Sequence, residues 1–122
     1  SDAKWFVCGA VHTRDDGHTF FNPMYPRWDD KIMLEPGYNF IGGVSVTAIK
    51  KEVTVRYDPE LRMLLDVDFY YQNVLNYGMP IFYRDTLIVN RVRDNDTLMA
   101  EVSEEEIEEE FQYCFKKHGI SR

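Results

Sequence analysis

The chain has 122 residues, 44% apolar and 15% aromatic, which suffices for one buried core and places it among globular domains. No stretch of about 18 apolar residues occurs, so no membrane span is expected. Of its 21 acids, seven lie between Glu101 and Glu110, leaving 14 against 14 Lys plus Arg; the net charge of −7 is one acidic run, read as a solvated helix face, on a balanced chain without a basic face for nucleic acid.

Residues 5–12, WFVCGAVH, are largely apolar and predict a central strand. Ser1 stands four residues before it, as expected of a piece of a larger fold. From residue 13 to 38 the periodicity is lost. Gly17, Pro23, Pro26, Pro36 and Gly37 punctuate this stretch, while Phe20, Phe21, Met24, Tyr25 and Trp28 supply apolar anchors. A loop of that length inside a compact domain is a functional lid or a cover over the core, and both readings fit. Residues 44–49 follow Gly42-Gly43 as a strand. Residues 52–57 alternate as another, with a hairpin turn at Lys50-Lys51. Asp58 and Pro59 are suited to cap and open the next helix.

That helix, within LRMLLDVDFYYQNVLNYGMP from Leu61 and ended by Gly78 and Pro80, organises the chain. Met63, Leu64, Val67, Tyr70, Tyr71, Val74 and Leu75 fall on one face; Arg62, Asp66, Asn73 and Asn76 gather on the other, with Phe69 among them. Asp66 and Asp68 point about 200° from each other, so they cannot share a proton or a metal from one regular helix. Two separate jobs are expected. A carboxylate among aromatics costs free energy unless it is satisfied, which makes this helix the first place to look for chemistry. The plainer role for Asp66 is an ion pair with Arg62, one turn back.

Residues 81–83 and 87–92 predict short strands. Ser103 opens the last helix, 103–118, in a capping box with Glu106. Acids in its first turns, Lys116, Lys117 and His118 in its last, and Gly119 beyond all agree with the macrodipole. Ile107, Phe111, Cys114 and Phe115 form its docking stripe. Cys8 and Cys114 lack metal-ligand spacing and read as reduced thiols of a cytoplasmic protein. The sum is one α+β domain over 1–122, with a mixed β-sheet, a central buried helix and a C-terminal amphipathic helix.

His12 and His18 flank Asp15 and Asp16 in HTRDDGH. No tetrahedral spacing is met, so no metal ligands are assigned; loop contacts or an acceptor site are the readings kept for His12. Arg91 and Arg93 share a strand face suited to gripping phosphate, or else pair with Asp94, Asp96 or the acidic helix.

Taken in order, FIGGVSVTAIKK, YDPEL, LLDVDFYYQNVLNYG and PIFYRDTLIVNRV resemble the C-terminal half of a family 2, GT-A-fold glycosyltransferase. Such enzymes carry a Gly/Ser strand, a Phe-Asp-Glu-like turn, a helix with a Glu-Asp-x-Asp-type motif, and a short strand leading to a basic residue. The resemblance covers most of residues 5–93 and is strongest over 44–90. It implies that Tyr57-Asp58-Pro59-Glu60 is the turn and that Asp66 of Leu65-Asp66-Val67-Asp68 is the base that deprotonates an acceptor hydroxyl. Asp68 would be the second acid, supporting the helix or the acceptor. Two departures stand out. Leu65 replaces the usual acid, and the nucleotide-binding half with its Asp-x-Asp metal motif has no counterpart among these residues.

The resemblance also implies inverting transfer from a nucleotide-sugar donor to a saccharide acceptor, with a divalent cation (Mg or Mn) only in the complete enzyme. Trp28, His12, Tyr25 and Asp68 are then the expected substrate-binding residues, the aromatic rings stacking on sugar. The chain alone is expected to be inactive. The alternatives are a non-catalytic carbohydrate- or protein-binding module, and an assembly domain whose open sheet edge self-associates or takes a partner.

Overall fold

The computed structural model describes residues 2–28, 41–92 and 103–119. Strand β1 (Trp5–Thr13) is its spine. Its side chains are mostly buried on both faces, as suits a strand with neighbours at both edges. Strand β2 (Phe21–Met24) runs antiparallel to residues 10–12 of β1, and β3 (Thr47–Ile49) runs antiparallel to residues 5–7. Together they share one edge. Strand β4 (Ile81–Arg91) lies parallel along the other, from Ile81 opposite Phe6 to Arg91 opposite Thr13. The sheet is therefore mixed and four-stranded, with β1 in the middle as its apolar run predicts.

Three expectations are corrected here. The stretch after residue 13 holds β2, an edge strand whose Pro23 forfeits a donor that only an edge can spare. Residues 53–57 alternate in burial, with Val53 and Val55 inside, yet they pair with no strand among the described residues. Their polar groups go to side chains instead: Thr54 N–H donates to the Tyr77 hydroxyl at 3.0 Å, and Arg56 Nη1 donates to the Val53 and Val55 carbonyls. Alternation there records burial and not a ladder. The two short strands foreseen after residue 80 are one strand, β4, broken by bulges. Between Val7 and Gly9 β1 advances two residues while β4 runs from Phe82 to Thr86.

Helix α1 (Leu65–Tyr77) begins later than its sequence pattern does, and Asp58 does not cap it. Asp58 Oδ1 accepts the Glu60 N–H at 2.9 Å, and its carbonyl accepts the Leu61 N–H at 3.1 Å; Pro59 sits in this separate turn. The helix is also enclosed on more than one side. Tyr70 stacks on Trp5 at 6.0 Å and Phe69 lies 4.4 Å from Tyr57, while Asp68 and Asn73 are fully buried and Leu75 is exposed. The two-face division fails for Phe69, Asn73 and Leu75 because α1 has protein on both flanks. Asn73 is accommodated by giving its Nδ2 proton to the Phe69 carbonyl. Val67 is inside and Asp66 half-buried, as the helical register requires.

The end of α1, Gly78, accepts the Trp5 indole N–H at 2.9 Å beside the start of β1, and β4 begins at Ile81. The helix thus lies in the crossover that leads to β4, which runs parallel to β1.

Helix α2 (Glu104–His118) forms as predicted. Ser103 Oγ accepts the Glu106 N–H at 3.2 Å, and Gly119 closes the helix in the left-handed conformation at φ 65°. Phe111, Cys114 and Phe115 are buried, with partly buried Ile107 at the margin. Phe6, Val7, Cys8, Val46, Leu87 and Ile88 are among the residues that line an open apolar groove of about 440 Å³. No helix of the described residues is long and apolar enough to cross a membrane.

Candidate functional site

Asp66 and Asp68 are separated by their surroundings. The Asp68 carboxylate is fully buried and takes three donors: Gln72 Nε2 at 2.7 Å, Lys117 Nζ at 2.9 Å and His118 Nε2 at 2.6 Å. A carboxylate only accepts, so His118 carries its proton on Nε2; its ring lies 4.7 Å from Tyr71. Burial pushes the Asp68 carboxyl up, but the bonds from His118, Lys117 and Gln72 outweigh it and hold the group below the ordinary carboxylate range. Asp58 joins the same cluster. Its Oδ2 accepts from Lys117 Nζ at 2.8 Å and from the Tyr113 hydroxyl at 2.7 Å. Burial raises its pKa, but Lys117, the Glu60 N–H and Tyr113 bring it down to about 2. Beneath the cluster, burial and the Asp68 charge push the Cys114 thiol up to about 12, which leaves it inert. Asp68, expected among the substrate-binding residues, is thus enclosed by donors from its own helix and from α2.

Asp66 has another environment. It lies half-buried in the first turn of α1, where its Oδ1 accepts the Val67 N–H at 2.8 Å. Its negative charge suits the positive end of the helix. Burial first, and the Asp66 charge second, raise the neighbouring Tyr70 hydroxyl well above its usual range. Tyr70 therefore stays protonated and donates to the Gly42 carbonyl at 2.8 Å, tying α1 to the Gly42-Gly43 segment. Arg62 turns away to Glu106 Oε2 at 3.5 Å, across to α2, in place of the ion pair expected one turn along.

Glu110 is the residue that sequence reasoning missed. Leu64, at the N-cap of α1, has no side-chain oxygen to offer the free backbone donors, and Glu110 of α2 supplies one. Its Oε1 accepts the N–H groups of Arg62 and Met63 at 2.9 Å and of Leu64 at 3.1 Å. The acidic run is therefore not wholly a solvated face. A signal existed: Glu110 and Lys117 are seven apart, hence on one side of α2, beside the predicted Phe111/Cys114 stripe.

The remaining candidates gather around the loop after β1. Adding a Cβ to Gly9 would bring it within 2.8 Å of the Tyr25 ring, so the ring lies directly on the strand backbone. By alternation Gly9 shares the Trp5 and Val7 side of β1, the side that α1 covers. Trp28 is half-buried against the core. His12 donates from Nδ1 to the Asn22 carbonyl at 3.0 Å and so fastens β2 to β1. Arg91 pairs with Asp16 at 2.9 Å, both exposed, at the finishing end of β4; Asp94 and Asp96 lie outside the described residues. Arg93 lies outside the described residues. Within HTRDDGH, Asp15 binds Thr13 and Thr19, and bonds from Thr19 set its carboxyl at about 2. Asp15 thus closes the turn at the end of β1.

Among the described residues no three His, Cys, Asp or Glu side chains converge as metal ligands. Compared with protein-family models, with curated proteins and with solved structures, the chain matches none of them.

Proposed function

We propose that this chain is the acceptor-side, base-carrying half of a family 2, GT-A-fold glycosyltransferase acting in the cytoplasm. One observation carries the reading. Of two aspartates two residues apart, Asp68 is closed off by Gln72, Lys117 and His118, while Asp66 stays half-buried in the first turn of α1. The mixed sheet, the α1 crossover and Tyr25 on the α1 side of β1 support the reading, and two buried free thiols fit a reducing compartment. The cation of the complete enzyme is then held by residues other than those described.

In this mechanism the acceptor hydroxyl gives its proton to the Asp66 carboxylate as its oxygen bonds to the anomeric carbon of the donor. The bond from that carbon to the diphosphate oxygen breaks, and its electron pair leaves with the nucleoside diphosphate. Asp66 then releases the proton to water. Protonated Tyr70 does not compete as a base. The test is sugar transfer by this chain joined to a nucleotide-binding half, across nucleotide-linked hexoses and saccharide acceptors. Asp66→Asn should lower turnover by about 10²-fold or more and leave donor binding intact. Near-normal turnover would reject Asp66 as the base, and no transfer with any donor would reject the glycosyltransferase reading.

A protein-binding module is the second reading, favoured by the apolar groove and the exposed Tyr83, Leu87 and Val89 of β4. Concentration-dependent self-association in light scattering, with no transfer activity, would select it.

A further inference from the structure

We infer that Glu110 is a positioning residue for Asp66, a role that rests on Asp66 being the base. Leu64, the N-cap of α1, contributes no side-chain cap of its own. The N–H groups of Arg62, Met63 and Leu64, the three residues that lead into α1, converge on one carboxylate from another helix, at 2.9, 2.9 and 3.1 Å, and Glu110 is almost fully buried. Asp66 comes two residues after the last of these donors. Its own carboxylate is tied to the backbone of that turn through the Val67 N–H. Any drift of the turn carries the base with it. On the far side of Asp66, Lys117 and His118 of α2 hold Asp68. Glu110 and Lys117 are two helical turns apart on the same side of α2, so one helix grips α1 before and after the base. Tolerances matter here, because a base displaced by a fraction of an ångström loses its line to the acceptor proton.

Two measurements test this, and only one needs catalysis. In the chain itself, amide hydrogen exchange is compared for the wild type, Glu110→Ala and Glu110→Gln. Glu110→Ala should speed exchange at Arg62, Met63, Leu64 and Val67 by about tenfold or more, while the β1 amides hold their rates. Glu110→Gln keeps an oxygen for these donors and should recover most of the protection. A uniform rise across α1 and β1 would overturn the inference, since it would show general loosening. In the transfer assay, Glu110→Ala should lower kcat by about tenfold with little change in donor KM, and should have no further effect once Asp66 is Asn. An equal loss in the Asp66→Asn background would show that Glu110 does not act through Asp66, which also overturns it. If the wild type transfers no sugar, the glycosyltransferase reading falls, and the exchange pattern still decides whether Glu110 holds the turn. Should Glu110→Ala fail to fold, Glu110→Gln is read in both measurements for the same pattern at smaller amplitude.

Discussion

Replacing Asp68 with Asn tests whether a buried carboxylate joins the two helices. The substitution keeps the shape and removes the charge. An amide oxygen in place of Oδ2 can still accept from Gln72 and Lys117, but without the charge, and its NH2 then faces the His118 Nε2 donor; the opposite placement faces Lys117, donor against donor. Two bonds to a charged acceptor are worth roughly 1.5–3 kcal/mol each. The full sum is not expected, because the Lys117 side chain is 26% exposed and keeps Asp58 at 2.8 Å. A loss of about 3 kcal/mol follows, at the low end for breaking a buried pair. For 122 residues the unfolding entropy is about 0.26 kcal/mol/K, so the melting temperature should fall by about 12 °C. Urea unfolding should show a lower midpoint with unchanged slope. In a double-mutant cycle with Lys117→Met the coupling should exceed about 1 kcal/mol. A loss under about 1 kcal/mol, or simple additivity, would mean that apolar contacts of Phe111, Cys114 and Phe115 hold α2 in place without the charge cluster.

What the sequence disclosed follows from the range of the interactions. β1 was legible because its burial is written in consecutive residues, and α2 because Ser103 and Gly119 mark its ends locally. The start of α1 was not legible, since its cap comes from Glu110, some 46 residues away from Leu64. Asp58 misled for the same reason. An Asx turn and a helix cap use the same residue types, and only the position of the Leu65 turn distinguishes them. Helical geometry alone separated Asp66 from Asp68, and the structure gives them different surroundings. It did not disclose which of the two is closed off, because Lys117 and His118 first read as residues matched to the helix dipole. Asn73 and Phe69 were misplaced because a helix with protein on two sides has no single polar face. Residues 53–57 show the same limit for strands, where alternation reports burial whether or not a ladder forms.

Two further predictions concern the ends of this arrangement. Ser103→Ala removes the acceptor for the Glu106 N–H and should cost about 1 kcal/mol, read as a melting shift of about 4 °C; an unchanged melting temperature would mean that the cap contributes nothing. The last concerns acid. Asp58 and Asp68 both ionise more readily in the folded chain than an ordinary aspartate, whose pKa is about 3.9. A depressed folded pKa means that the unfolded chain takes up protons first as pH falls. The stability from these groups is therefore complete above about pH 5 and drains away on acidification, toward the Asp58 value of about 2. Asp15, also at about 2, adds the same sign from a separate loop, so wild-type acid lability alone cannot assign the effect. The difference between wild type and Asp68→Asn can, because Asp15 cancels in it. That difference should be largest near pH 7, where all the carboxylates are charged, and should shrink as urea midpoints are measured at pH 4, 3 and 2. A gap that stays constant to pH 2 would show that Asn disturbs packing and not charge. A gap that widens on acidification would mean that Asp68 is protonated in the folded chain, and the ion-pair account of the helix contact would have to be abandoned.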